Sequence, residues 1–159
     1  ARQLSVLFAA LGAAVFVLGG TAVEAQTIKP PKVPAKIILA VAPDSVAPGG
    51  TARVTVELEP IDGVKINKYP KITVSVPALE GLVGEAGTSQ GSDIPPPEDQ
   101  LKTNYFKTLE PLELTLQLEP SASSGSHELD GKITYNYCMP ANGFCARKRV
   151  AVKIPVEVR

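Results

Sequence analysis

The run Thr51-Ala52-Arg53-Val54-Thr55-Val56-Glu57-Leu58-Glu59 decides the fold. Ala52, Val54, Val56 and Leu58 fall on one side of an extended chain, and Arg53, Thr55, Glu57 and Glu59 on the other. Successive side chains of a strand point to opposite faces, so this pattern predicts a strand with one face in a core and one in water. The same period returns in Lys71–Val76 through Ile72, Val74 and Val76. It returns again in Leu112–Leu118, where four leucines alternate with Glu113, Thr115 and Gln117. Lys36–Ala42, Leu129–Tyr137 and Val150–Val158 complete the set. Pro48-Gly49-Gly50, Ile61-Asp62-Gly63 and Ser123-Ser124-Gly125 punctuate it as turns. No stretch from residue 36 onward has a helical period. Six or seven short strands over about 120 residues predict an all-β, immunoglobulin-like antiparallel sandwich. The Cys-Trp-Cys core of antibody domains is absent, since the chain has no Trp and its two cysteines are close in sequence.

Those cysteines lie in Tyr135-Asn136-Tyr137-Cys138-Met139-Pro140-Ala141-Asn142-Gly143-Phe144-Cys145. A β-rich run enters Cys138, another leaves Cys145, and turn residues stand between, so both thiols fall at the mouth of a hairpin. The spacing is too long for a C-x-x-C redox motif or a zinc knuckle and suits one local disulfide. Its Cα atoms are expected about 4.4–6.8 Å apart. The bond has two readings. As a staple, it closes a short loop and stabilises by roughly 2–3 kcal/mol. As a redox pair, it cycles between dithiol and disulfide.

Residues 1–25 bear on the compartment. Arg2 precedes an uncharged apolar stretch from Leu4 to Val23, and Val23-Glu24-Ala25 offers small residues for cleavage before Gln26. This is the pattern of a secretory signal sequence, and it predicts export to an oxidising, periplasmic or other extracytoplasmic space. The same stretch, as a helix about 30 Å long, would also suit an uncleaved transmembrane anchor that tethers the domain to a membrane or a membrane-protein complex. Residues 26–35, with Pro30, Pro31 and Pro34, read as an extended linker, and residues 36–159 as one domain.

Other chemistries lack their residues. Formal net charge is zero and no charge block marks a nucleic-acid footprint. His127, the sole histidine, falls in a polar loop from Ser121 to Glu128, with no G-x-S-x-G element to accompany it. Cys138, Cys145 and His127 match no standard zinc spacing, and no cofactor or metal is expected. Ala78–Lys107, rich in Gly and Pro, is too long for an ordinary loop and ends in Asn104-Tyr105-Phe106. It reads either as a connection packed on the sandwich edge or as a flap over a site.

The strand ending Tyr135-x-x-Cys138, the short turn, Gly143-Phe144-Cys145 and the final strand resemble the N-terminal periplasmic domain of the thiol:disulfide interchange protein DsbD. The motif covers residues 128–158, and a looser likeness covers 36–159. The resemblance implies an immunoglobulin-like sandwich whose Cys138 and Cys145 pass electrons to thioredoxin-like partners. It implies that Tyr135, Tyr137 and Phe144 flank the pair, and that Tyr105 or Phe106 shields it. The chain departs from that family in having one more residue between the cysteines. It also has Ala146-Arg147-Lys148 where Tyr-Pro-Pro usually follows. Two functions follow as expectations: a structural or interaction subunit of a membrane-associated assembly, stapled by the disulfide, and a thiol–disulfide exchange module.

Overall fold

The computed structural model describes residues 29–159. They form β1 (Ala35–Ala42), β2 (Thr51–Pro60), β3 (Lys65–Ile66), β4 (Ile72–Val76), β5 (Ala86–Gln90), β6 (Leu112–Gln117), β7 (Gly125–Met139) and β8 (Phe144–Val158), with one 3-10 turn at Glu98–Gln100. The first sheet has the order β1-β2-β6 and is antiparallel throughout, with Leu39 opposite Val56 and Val54 opposite Leu114. The second is built on β7. Along one edge β7 pairs with β8 over its whole length, from Gly125↔Val158 to Met139↔Phe144. Along the other edge it pairs first with β4 and then, nearer its end, with β3; β5 pairs with β4. Thus β3 and β4 together fill the place of one strand. The result is the immunoglobulin arrangement of an A-B-E sheet facing a C′-C-F-G sheet.

Alternation builds the core. Ala52, Val54, Val56 and Leu58 of β2, and Leu112, Leu114 and Leu116 of β6 with Leu118 just beyond it, are all buried. They meet Ile72, Val74 and Val76 of β4, Leu129, Ile133 and Tyr135 of β7, and Ile154, Val156 and Val158 of β8. Each such aliphatic side chain contributes roughly 1.5–3 kcal/mol when withdrawn from water.

Three expectations need correcting or placing. First, β7 begins at Gly125, so His127 lies on a strand and not in a loop; its Nε2 is 2.8 Å from the Ser123 carbonyl oxygen. The ladder to β8 continues that far because Glu128 and Asp130 on its solvent face are matched by Lys153 on the neighbouring strand. Second, Ala78–Lys107 is not one irregular connection: Ala86–Gln90 adds β5 to the sheet edge. Third, Leu4–Val23 and its expected helix lie outside the described residues. Among those described, no helix is long and apolar enough to cross a membrane.

Candidate functional site

The β7–β8 ladder sets Cys138 directly opposite Cys145, and the expected disulfide joins them. Their Cα atoms are 4.0 Å apart, below the expected range. Direct opposition in the ladder brings the pair to the short end of that range, about 4.5 Å in the closer kind of antiparallel pair, and does not account for the remainder. The turn beyond them is closed by Met139, whose carbonyl accepts the N–H groups of Asn142 at 3.2 Å and Gly143 at 3.0 Å. Asn142 Oδ1 accepts the Phe144 N–H at 3.0 Å. Gly143 has φ +72°, a left-handed conformation that glycine adopts without steric cost.

The two cysteines are unequal. Cys138 is 2% exposed, whereas Cys145 is open to solvent. Both project from the outward face of the second sheet, on which the period of two also places Asn136, Arg147, Lys65 and Asn67. What covers Cys138 comes from a distant part of the chain. Asn67 bridges to Tyr105, and the Phe106 N–H donates to the Ile66 carbonyl at 2.9 Å, so residues 104–106 run beside β3. Both peptide groups of Lys68 grip the segment before them: its carbonyl accepts the Ser92 N–H at 2.7 Å, and its N–H donates to the Asn104 carbonyl at 2.9 Å. Residues 92–104 therefore form a loop whose ends are clasped at one residue, in the manner of an Ω-loop. Beneath it lies a cavity of about 390 Å³ walled by Asn67, Leu101, Lys102, Tyr105 and both cysteines.

Tyr105 thus stands at the disulfide, while Phe106, one residue on, packs against the core. Tyr135, Tyr137 and Phe144 flank the cysteines in sequence but point inward. They form a row of rings behind the disulfide, with centroids 6.4 Å apart for Tyr135–Tyr137 and 6.1 Å for Tyr137–Phe144. Neighbours along a strand face opposite ways, so sequence adjacency separates these side chains from the sulfurs rather than stacking them on top. His127 stands toward the far end of β7, about 35 Å from Cys138 at strand rise, and shares no site with it. Asn67, Leu101 and Lys102 carry no local sequence signal for this place; only the bridge between Asn67 and Tyr105 brings them there.

Buried polar groups without partners gather nearby. Asn67 Oδ1 and Asn136 Nδ2, beside the disulfide, have no hydrogen-bond partner. Each such group costs about 1–3 kcal/mol when left unpaired. Burial pushes the Tyr135 phenol from 10.0 up to about 12; the Ala35 backbone pulls it back a little and nearby Tyr137 adds to the rise. The unfolded chain loses this proton at the ordinary value while the native protein keeps it, so stability should fall as pH rises from about 10 toward about 12. Urea melts across that range should show the loss in the wild-type chain, and Tyr135→Phe should remove its share. Identical pH profiles for the two would contradict this assignment.

No protein-family model and no curated protein matches the chain. Among solved structures it is similar to murine CRIg, with 12% sequence identity over 78% of this chain and 98% of that one, at a TM-score of 0.36.

Proposed function

We propose that this immunoglobulin-like domain exchanges thiols and disulfides with a thioredoxin-like partner through Cys138 and Cys145, as the resemblance to the DsbD N-terminal domain implies. One observation carries the reading: the disulfide is not sealed in the core but lies in the wall of a surface cavity, with Cys145 open to an incoming thiol. A partner thiolate attacks Cys145 Sγ, the Cys138–Cys145 bond breaks, and Cys138 leaves as a thiolate that takes a proton from solvent. The partner's second thiol then attacks its own sulfur in the mixed disulfide and frees Cys145. One disulfide is lost and one gained, so two electrons have moved from partner to domain; the reverse sequence returns them.

The test is to equilibrate the domain with glutathione and thioredoxin buffers and trap the thiols. A potential near about −200 mV supports exchange, whereas one well below about −300 mV, with no trapped mixed disulfide, leaves only a staple. A structural or interaction role, with the disulfide as staple, is the second reading. It is favoured by the burial of Cys138, which is 2% exposed. In that reading Leu4–Val23 tethers the domain to a membrane assembly. N-terminal sequencing of natively purified protein should then find residues preceding Gln26, and a uniform start at Gln26 removes the tether.

A further inference from the structure

The outward face of the second sheet divides its charges between two ends. Away from the disulfide, Lys153 on β8 lies 2.6 Å from Asp130 and 3.6 Å from Glu128 on β7, so that end is internally neutralised. Around the disulfide, Lys65 on β3, paired with Cys138, and Arg147 on β8 project from the same face, with Arg149 two residues further along β8. Lys102 joins them from the cavity wall. Among the described residues, none of these four cations has a carboxylate within ion-pair distance, although four other ion pairs form elsewhere. The acids of the clasped loop, Glu98 and Asp99, lie in its exposed 3-10 turn.

The fold does not need this cluster. Arg147 and Arg149 are two residues apart on one strand, about 7 Å, and adjacent like charges on a sheet face cost stability. Protection of an edge strand from aggregation would account for charges on β8. It does not account for Lys65 and Lys102, which lie on the other side of β7 from β8. What Lys65, Lys102 and Arg147 share is the disulfide between them.

We propose that this basic face docks a partner protein that presents carboxylates beside its reactive cysteine, bringing the partner's sulfur onto Cys145. The inference rests on the exchange reading above and adds the chemistry of the partner's surface. A protein fits better than another polyanion because the cations surround a disulfide, which only a thiol can use. Arg147 lies within a Debye length of the site at physiological salt, about 8 Å, so its field reaches an approaching thiolate. Electropositive surroundings also favour the thiolate that leaves from Cys138.

The probes are short peptides with one cysteine flanked by glutamates, serines or lysines. Mixed-disulfide formation with the full chain is timed, and each rate is divided by the same peptide's rate with hydroxyethyl disulfide, a neutral reference. The glutamate peptide should react roughly tenfold faster than the lysine peptide at low salt, and the gap should close at about 500 mM salt. Arg147→Glu with Arg149→Glu should reverse the order. Arg147→Gln with Arg149→Gln, a milder change, should abolish it, with melting unchanged. Equal scaled rates for all three peptides would overturn the docking inference and leave exchange standing. No reaction with any peptide would remove the exchange reading and this inference with it. Vesicles rich in phosphatidylglycerol that bind the chain and block the glutamate peptide would instead make this a membrane-facing surface and overturn the proposal.

Discussion

In the Cys138→Ser variant the remaining thiol should react with a small uncharged reagent about 100-fold faster than the remaining thiol of Cys145→Ser. Cys145 is already open to solvent, whereas Cys138 is 2% exposed and must wait for the loop above it to part. An opening free energy of about 3 kcal/mol, ordinary for local unfolding of a surface segment, corresponds to that factor. Both variants lose the disulfide, and with it about 2.5 kcal/mol for a loop this short, so the comparison between them cancels that common loss. The asymmetry also fixes the trap: Cys138→Ser should retain a thioredoxin-like partner as a mixed disulfide, and Cys145→Ser should not. Equal labelling rates would show that the two sulfurs are alike in solution, and would withdraw the assignment of Cys145 as the attacked atom.

Gly91→Ala should release the loop over the cavity. Gly91 has φ +111°, which an L side chain rarely adopts. A Cβ built there falls against the Lys68 carbonyl oxygen, and 3.2 Å from Lys71 Cα, both of them backbone atoms that no rotamer change can move aside. The backbone conformation alone costs about 1–3 kcal/mol. The nearest relief is to part Ser92 from the Lys68 carbonyl, which opens one side of the clasp. The expected result is a disulfide that dithiothreitol reduces about tenfold faster, with global melting lowered by only a few degrees. If Gly91→Ala lowers the melting temperature but leaves the reduction rate untouched, residues 92–104 do not control access to the disulfide.

The sandwich was legible wherever a strand has one face in the core. β2 and β6 announce themselves because every second residue is aliphatic, and all of those residues are buried. β5 was not legible for the converse reason. Ala86-Gly87-Thr88-Ser89-Gln90 has no aliphatic alternation to read, since it lies at the sheet edge and is held by its ladder to β4. The first residues of β7 escaped notice because Ser126, Glu128 and Asp130 look like loop composition, and only the partner strand turns them into a paired face. At the site, the cysteines, their hairpin and a distant aromatic were within reach. The unequal exposure of the sulfurs was not, because it depends on a loop held against Ile66, Asn67 and Lys68 from far along the chain. The basic face was hidden in a chain of zero net charge, because its members come from separate strands and one loop and meet only through register.

The β7–β8 ladder ends at Met139 and Phe144, and the residues between them, Pro140 to Gly143, are all exposed. The register of β7 against β8 is pinned below the turn by their buried face, Leu129, Ile133 and Tyr135 against Ile154, Val156 and Val158, so the turn is not alone in setting it. A turn one residue longer or shorter therefore falls outside the paired part of the hairpin. The tip that carries the disulfide can thus be reshaped while the strands beneath it keep the fold.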